Sequence, residues 1–153
     1  MKITNRKAYF DYEIGEKLEA GIDLTGAEVK SAKEGCVALS DSFVKIIGNE
    51  AMLLNCHINP YEFSNNENYD PKRSRKLLLH KKEILSLQSK MQQSNLTLIP
   101  VSLYTRHNLI KVELALARGK KKWDKRQALK EKDLKREEEE VVRGKKWFGK
   151  NSL

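Results

Sequence analysis

The junction Gly48-Asn49-Glu50 joins two β-prone runs, residues 42–47 (Ser-Phe-Val-Lys-Ile-Ile) and 51–58 (Ala-Met-Leu-Leu-Asn-Cys-His-Ile). Gly and Asn tolerate the positive φ angles of a tight turn, so this segment is predicted to be a β-hairpin, which commits the chain to antiparallel pairing. A second hairpin is predicted where Arg106-His107-Asn108 separates the strand-like runs 96–104 and 109–117. Upstream, residues 8–14 and 18–24 read as two more short strands, with Gly15-Glu16-Lys17 as the turn between them. Residues 26–32 form a brief helix candidate ended by Gly35. From Lys81 the period becomes helical, with Ile84, Leu85, Leu87 and Met91 toward one face until Asn95 closes it. Residues 59–74 are polar and contain Pro60, Pro71 and Asn65-Asn66-Glu67-Asn68, so they are expected to form a surface loop. About six short strands, with one clear helix between the fourth and fifth, favour a small closed barrel, because closure removes the edges along which sheets aggregate.

Charge divides the chain differently. Its 153 residues carry 30 Lys+Arg and 21 Asp+Glu, a net +9. Residues 1–117 hold 16 against 14 and residues 118–153 hold 14 against 7, so most of the excess lies in the last quarter. The expected organisation is therefore a nearly neutral barrel, 1–117, and a basic tail, 118–153. Clustered Lys and Arg suit a polyanion, since contacts to phosphates release counterions without requiring sequence readout. A merely solubilising tail is the alternative that composition leaves open.

Catalysis finds little support. His57, His80 and His107 stand 23 and 27 residues apart in no metal-ligand pattern. Cys36 and Cys56 have no partner at zinc-like spacing, and two thiols do not make a disulfide framework. Gly119-Lys120 lacks the glycine spacing of a phosphate loop. Glu13, Glu19 and Glu28 are scattered carboxylates whose spacing does not separate acid–base work from surface charge. The expectation is a binding module without cofactor, metal or small-molecule substrate. No run approaches the roughly 20 apolar residues of a membrane span, and Met1-Lys2-Ile3-Thr4-Asn5-Arg6-Lys7 leads into no apolar signal segment, which predicts a cytoplasmic protein.

The tail carries a sharper signal. Lys120, Lys121, Lys122, Trp123, Asp124, Lys125 and Arg126 interleave one aromatic ring among cations, a composition suited to phosphate contact and base stacking. Asp124 and Gln127 can cap a helix running toward Val142, supported by pairs between residues 130–136 and 137–140. Its apolar stripe is too sparse to hold it on a barrel, so disorder in isolation and helix on binding are expected. Trp147-Phe148 argue for a binding role, because exposed aromatics usually have somewhere to go.

Several blocks then fall into a known order: Leu18-Glu19-Ala20-Gly21-Ile22, Leu24-Thr25-Gly26-Ala27-Glu28-Val29-Lys30-Ser31, Asp41-Ser42-Phe43-Val44, His57-Ile58-Asn59-Pro60-Tyr61-Glu62, Asp70-Pro71, Arg73-Ser74-Arg75-Lys76-Leu77-Leu78-Leu79-His80, and residues 119–126. Together they resemble the SsrA-binding protein (small protein B) family over almost the whole chain. The resemblance implies a barrel of the oligonucleotide-binding type with accessory helices. It implies a non-catalytic RNA-binding adaptor that carries the tRNA-like domain of transfer-messenger RNA (tmRNA, SsrA) to stalled ribosomes for trans-translation. The tail, on the small (30S) subunit of the 70S ribosome, would engage the decoding region and the empty message channel. Glu19, Leu78 and His80 match family positions needed for RNA binding, His80 standing where some members have Asn. Asp124, Lys125 and Arg126 match the tail motif needed at the decoding region. Ala27 replaces a bulkier residue, often Trp, of some members. Lys72, Arg73, Arg75 and Lys76 flank the strand around Leu78 and are candidate phosphate contacts, while Leu78 fits either an exposed contact or the core. Glu19 cannot attract phosphate, so it is expected to accept hydrogen bonds from a base edge or 2′-hydroxyl, or to orient a neighbouring cation. No hydrophobic surface demands an oligomer, and a monomer is expected. The competing reading is a general nucleic-acid-binding barrel with a nonspecific basic tail.

Overall fold

The computed structural model describes residues 1–120 and Arg126. The elements in chain order are β1 (Lys2–Thr4), α1 (Arg6–Asp11), β2 (Tyr12–Ile22), α2 (Gly26–Lys33), β3 (Val37–Ala38), β4 (Phe43–Ile47), β5 (Glu50–Leu54), β6 (His57–Ile58), β7 (Arg75–Leu78), α3 (Lys81–Ser94), β8 (Thr97–Arg106) and β9 (Leu109–Gly119). Six strands close an antiparallel ring in the order β8-β4-β5-β7-β2-β9, with β9 returning to β8. Strand β1 adds to β8 through Lys2↔Tyr104, Ile3↔Leu103 and Thr4↔Ser102, and β3 pairs β6 in a separate small sheet. The fold is mainly β and closed, as the strand count predicts.

Local chemistry explains the turns. Gly48 has φ +63 between β4 and β5, the sign that the first central residue of a type II′ hairpin requires. At the β8–β9 turn both His107 (φ +51) and Asn108 (φ +64) are left-handed, the type I′ pattern that matches strand twist. Asn95, also left-handed, closes α3, and its N–H bonds the Met91 carbonyl.

The interior is filled by residues that alternate inward along the ring, among them Leu53, Leu77, Leu98, Leu103, Val112 and Leu114, all buried. A smaller cluster of Ile99, Val101, Ala115 and Ala117 lies on the opposite face of β8 and β9, packed with Ala8 of α1. Both faces of β8 are thus covered, so residues 98–103 are buried without alternation. Pro100 lacks an N–H and sits where the β8–β9 register shifts, between Pro100 and Ser102, the kind of position at which a strand tolerates proline.

Two expected strands are corrected. Residues 8–14 do not form one: Arg6–Asp11 is helical because the Asn5 side chain accepts the Ala8 N–H (3.2 Å) and starts a turn. Gly15-Glu16-Lys17 is not a turn but a register shift inside the single long strand β2. A Cβ at Gly15 would stand 3.0 Å from the Leu116 carbonyl oxygen, so glycine permits the close approach of β2 and β9 there. The ring still has six members, because β7 occupies the vacated place beside β2. The run 51–58 is broken at Asn55 (φ +60) into β5 and β6.

Asn5 holds this region together. Its Nδ2 donates to the carbonyls of Leu39 (3.1 Å) and Pro100 (2.8 Å), and the residue is buried. Asn5→Ala removes a helix cap and the two buried hydrogen bonds that its amide gives to the Leu39 and Pro100 carbonyls, so a loss of about 2–3 kcal/mol in denaturant unfolding is expected.

The chain divides into units Met1–Gly119 and Lys120–Leu153. Strand β9 runs two residues past 117, with Arg118 and Gly119 paired to Glu13 and Tyr12. Among the described residues no helix is long and apolar enough to cross a membrane.

Candidate nucleic-acid interface

On the outside of the ring, β2, β7 and the start of α3 surround an open depression of about 650 Å³. Four of the candidate residues line it, Glu19, Lys76, Leu78 and His80, with Gly21 and Lys111 beside them. The register produces this convergence. Leu77 pairs Ile22 and both point into the core, so Leu78, opposite Gly21, points out. Leu78 is 56% exposed, so of its two expected places the core is ruled out. A Cβ on Gly21 would stand 3.2 Å from Leu78 Cβ and 3.3 Å from its Cδ1, so the missing side chain is what lets Leu78 lie across β2. His80 stands at the N-terminus of α3, where its backbone N–H donates to Glu83 Oε1 (3.1 Å). Lys76 is exposed and pairs loosely with Glu50 (3.4 Å).

Glu19 is engaged from β8, two strands along the ring on the other side of β9. The Tyr104 hydroxyl and Arg106 Nη1 (3.2 Å) both donate to its Oε2. The hydrogen bond from Tyr104, then that from Arg106, holds the Glu19 carboxyl below the ordinary carboxylate range. Burial, and then the same bond to a carboxylate, pushes the Tyr104 phenol up to about 12. The neighbouring cation that Glu19 is expected to orient is thus Arg106. Neither Tyr104 nor Arg106 belongs to the motif blocks of the sequence. The available signal is the hairpin turn, which sets Tyr104 opposite Lys111 and both on the outer face.

The arginines before Leu78 correct the expectation of phosphate contacts. Arg75 is fully buried, and every guanidinium nitrogen is used inside the protein. Its Nε donates to Glu28 Oε2 (2.7 Å), Nη1 to the carbonyls of Cys56 (2.6 Å) and Arg73 (3.2 Å), and Nη2 to the Pro71 carbonyl (3.0 Å) and the Tyr69 hydroxyl (3.2 Å). Arg73 is half-buried and also binds Glu28, through Nε to Oε2 (3.1 Å) and Nη2 to Oε1. Thr25 completes the cluster in a capping box, donating its N–H to Glu28 Oε1 (3.0 Å). Burial alone would raise the Glu28 carboxyl, but these bonds outweigh it and bring the carboxyl down to about 2. Arg73 and Arg75 therefore fasten the 59–74 segment to α2. Lys72 is exposed on that segment but does not line the depression.

Of the tail residues, Lys120 is half-buried and Arg126 is exposed and helical. Lys121, Lys122, Trp123, Asp124 and Lys125, and the expected disorder and helix of the tail, lie outside the described residues. Among the described residues no cluster of His, Cys, Asp or Glu is suited to a metal ion. Cys36 and Cys56 are free thiols, and burial pushes Cys56 up to about 11.

Known proteins place the chain. A family model described as SmpB protein matches residues 2–144. The SsrA-binding protein of Sulfurihydrogenibium sp. (strain YO3AOP1) is 55% identical over 142 residues, 93% of each chain. That of Persephonella marina is 51% identical over 142 residues, again 93% of each. A chain from the solved structure described as "tmRNA-SmpB: a journey to the center of the bacterial ribosome" superposes with a TM-score of 0.67 at 45% identity, covering 84% of this chain and 94% of its own. This sequence, with its closed ring and the depression beside β7, belongs to the SmpB family of SsrA-binding proteins.

Proposed function

We propose that this protein is an RNA-binding adaptor for trans-translation: the ring binds the tRNA-like domain of tmRNA, and the basic tail engages the decoding region and empty message channel of the stalled ribosome. The observation that carries the reading is the convergence of Glu19, Lys76, Leu78 and His80 in one depression. Leu78 offers an apolar surface to an unstacked base, Lys76 a phosphate contact, and the His80 ring a hydrogen bond to a base edge or 2′-hydroxyl. The ring, read as one of the oligonucleotide-binding type, acts without catalysis, as a monomer in the cytoplasm. The family's relatives support this reading, since they are SsrA-binding proteins and one is solved with tmRNA.

The test is a binding titration of the full chain and of residues 1–119 against the tRNA-like domain and a size-matched control RNA. Selective binding by both proteins is expected, with ribosome rescue only from the full chain. Loss of selectivity on truncation would place capture in the tail and overturn the reading. Replacing Asp124, Lys125 and Arg126 together by Ala is expected to leave RNA affinity within a few-fold while peptide tagging on stalled ribosomes fails. A large loss of affinity would sink that division of labour.

A further inference from the structure

The register continues the depression into a longer surface. Across neighbouring strands, Leu78 of β7 stands opposite Gly21 of β2, Gly21 opposite Lys111 of β9, Lys111 opposite Tyr104 of β8, and Tyr104 opposite Lys2 of β1. Directly paired residues share a face, and the partners one position along, Leu77, Ile22, Val112 and Leu103, are buried. These five residues therefore form one outer row that crosses from the depression to the added strand β1.

Arg106 stands beside this row with its side chain 61% exposed. Glu19 binds it through Nη1 alone, which pins one edge of the planar guanidinium and leaves Nε and Nη2 for a ligand. That arrangement resolves why a carboxylate belongs in a surface for a polyanion: it repels phosphate by itself, but it fixes the direction of a fork that binds phosphate bidentately. The other carboxylates nearby are similarly occupied, Glu113 by Lys17 (3.7 Å) and Glu50 by Lys76 (3.4 Å).

We propose that this row is a second part of the RNA site, in which Arg106, Lys111 and Lys2 follow the phosphodiester backbone of the strand whose base rests on Leu78, with Glu19 and Tyr104 as positioning residues that aim Arg106. It rests on the reading of the protein as a binder of tRNA-like RNA and extends that site across the neighbouring strands as far as β1.

The experiment is a salt titration of the full-length protein with the tRNA-like domain and with the control RNA, each variant first checked for an unchanged unfolding temperature. Arg106→Gln and Lys111→Gln are each expected to reduce the slope of log affinity against log salt by about 0.7–1, the signature of one lost phosphate contact. Arg106→Lys should restore the slope while leaving affinity below wild type, because an ammonium keeps the charge and loses the fork. Tyr104→Phe should weaken binding with the slope kept, because it removes an aiming contact and no charge. Lys45→Gln, on the outer side of β4 away from the row, should change neither. Unchanged slopes in both Arg106→Gln and Lys111→Gln, with selective binding by wild type, would overturn the row and leave the adaptor reading standing. Wild type that binds both RNAs equally, with slopes still reduced in the variants, would overturn the adaptor reading and support the row.

Discussion

Glu28→Ala is expected to lower the unfolding free energy by about 3–5 kcal/mol at neutral pH, because it breaks a buried ion pair on one side only. The carboxylate is 1% exposed and is the counter-charge of a fully buried guanidinium. Removing it leaves Arg75 charged in the interior, with Arg73, Tyr69 and the Thr25 N–H losing their acceptor at once. Against a typical domain stability of about 5–15 kcal/mol, such a loss takes most of the margin. The same group dictates an acid limb. Its folded pKa, about 2, lies below the ordinary 4.5, so its contribution is complete above about pH 4.5 and disappears as the pH falls through 2. The difference of about 2.5 pH units corresponds to about 3 kcal/mol. Urea unfolding at pH 7, 4 and 2.5 should show stability falling across that window in the wild type and a shallower fall in Glu28→Gln. Equal falls in both proteins would remove Glu28 as the cause.

Leu78→Asp should abolish tight RNA binding, with a loss of about 100-fold or more, while the unfolding temperature stays near that of the wild type. The side chain is mostly exposed, so no core contact is lost, yet a carboxylate between Lys76 and the row from Gly21 to Lys2 would stand on the proposed phosphate path. One position earlier, the same substitution has the opposite phenotype. Leu77 is 1% exposed inside the ring, and Leu77→Asp should leave no folded protein to assay. Gly21→Ala provides an intermediate case: its Cβ would enter at 3.2 Å from Leu78, displacing that side chain and giving a few-fold loss of affinity. Binding titrations paired with thermal unfolding separate the three. Full affinity in Leu78→Asp would show that the depression is not the RNA site.

Features that depend on a few adjacent residues are legible in the chain itself. The Gly48 turn, the His107-Asn108 turn, the Asn95 cap and the helical period from Lys81 each follow from local φ preferences and apolar spacing. The first expected strand fails for a non-local reason. Residues 8–11 alternate plausibly, but Asn5 caps a helix there only because its amide is anchored to Leu39 and Pro100, 34 and 95 residues away. Gly15-Glu16-Lys17 has turn chemistry and instead makes a bulge, because β9 pairs continuously along both sides of it.

The site divides along the same line. Glu19, Leu78 and His80 stand in motif blocks, and the unequal charge of body and tail is a matter of composition, both carried by the order of residues alone. Which cations face a ligand is not, because Arg73, Arg75 and Lys76 are chemically alike and lie within four residues of one another. A strand sends alternate side chains to opposite faces, so Arg75 turns inward to the carboxylate of Glu28, 47 residues earlier, and Lys76 turns outward. Local residue order thus specifies a hairpin-built β body with a basic tail. Pairing of β2 with β9 is what brings Glu19 to the β8–β9 hairpin that carries Tyr104 and Arg106, since register between strands 85 or more residues apart is a property of the assembled sheet and of no local segment.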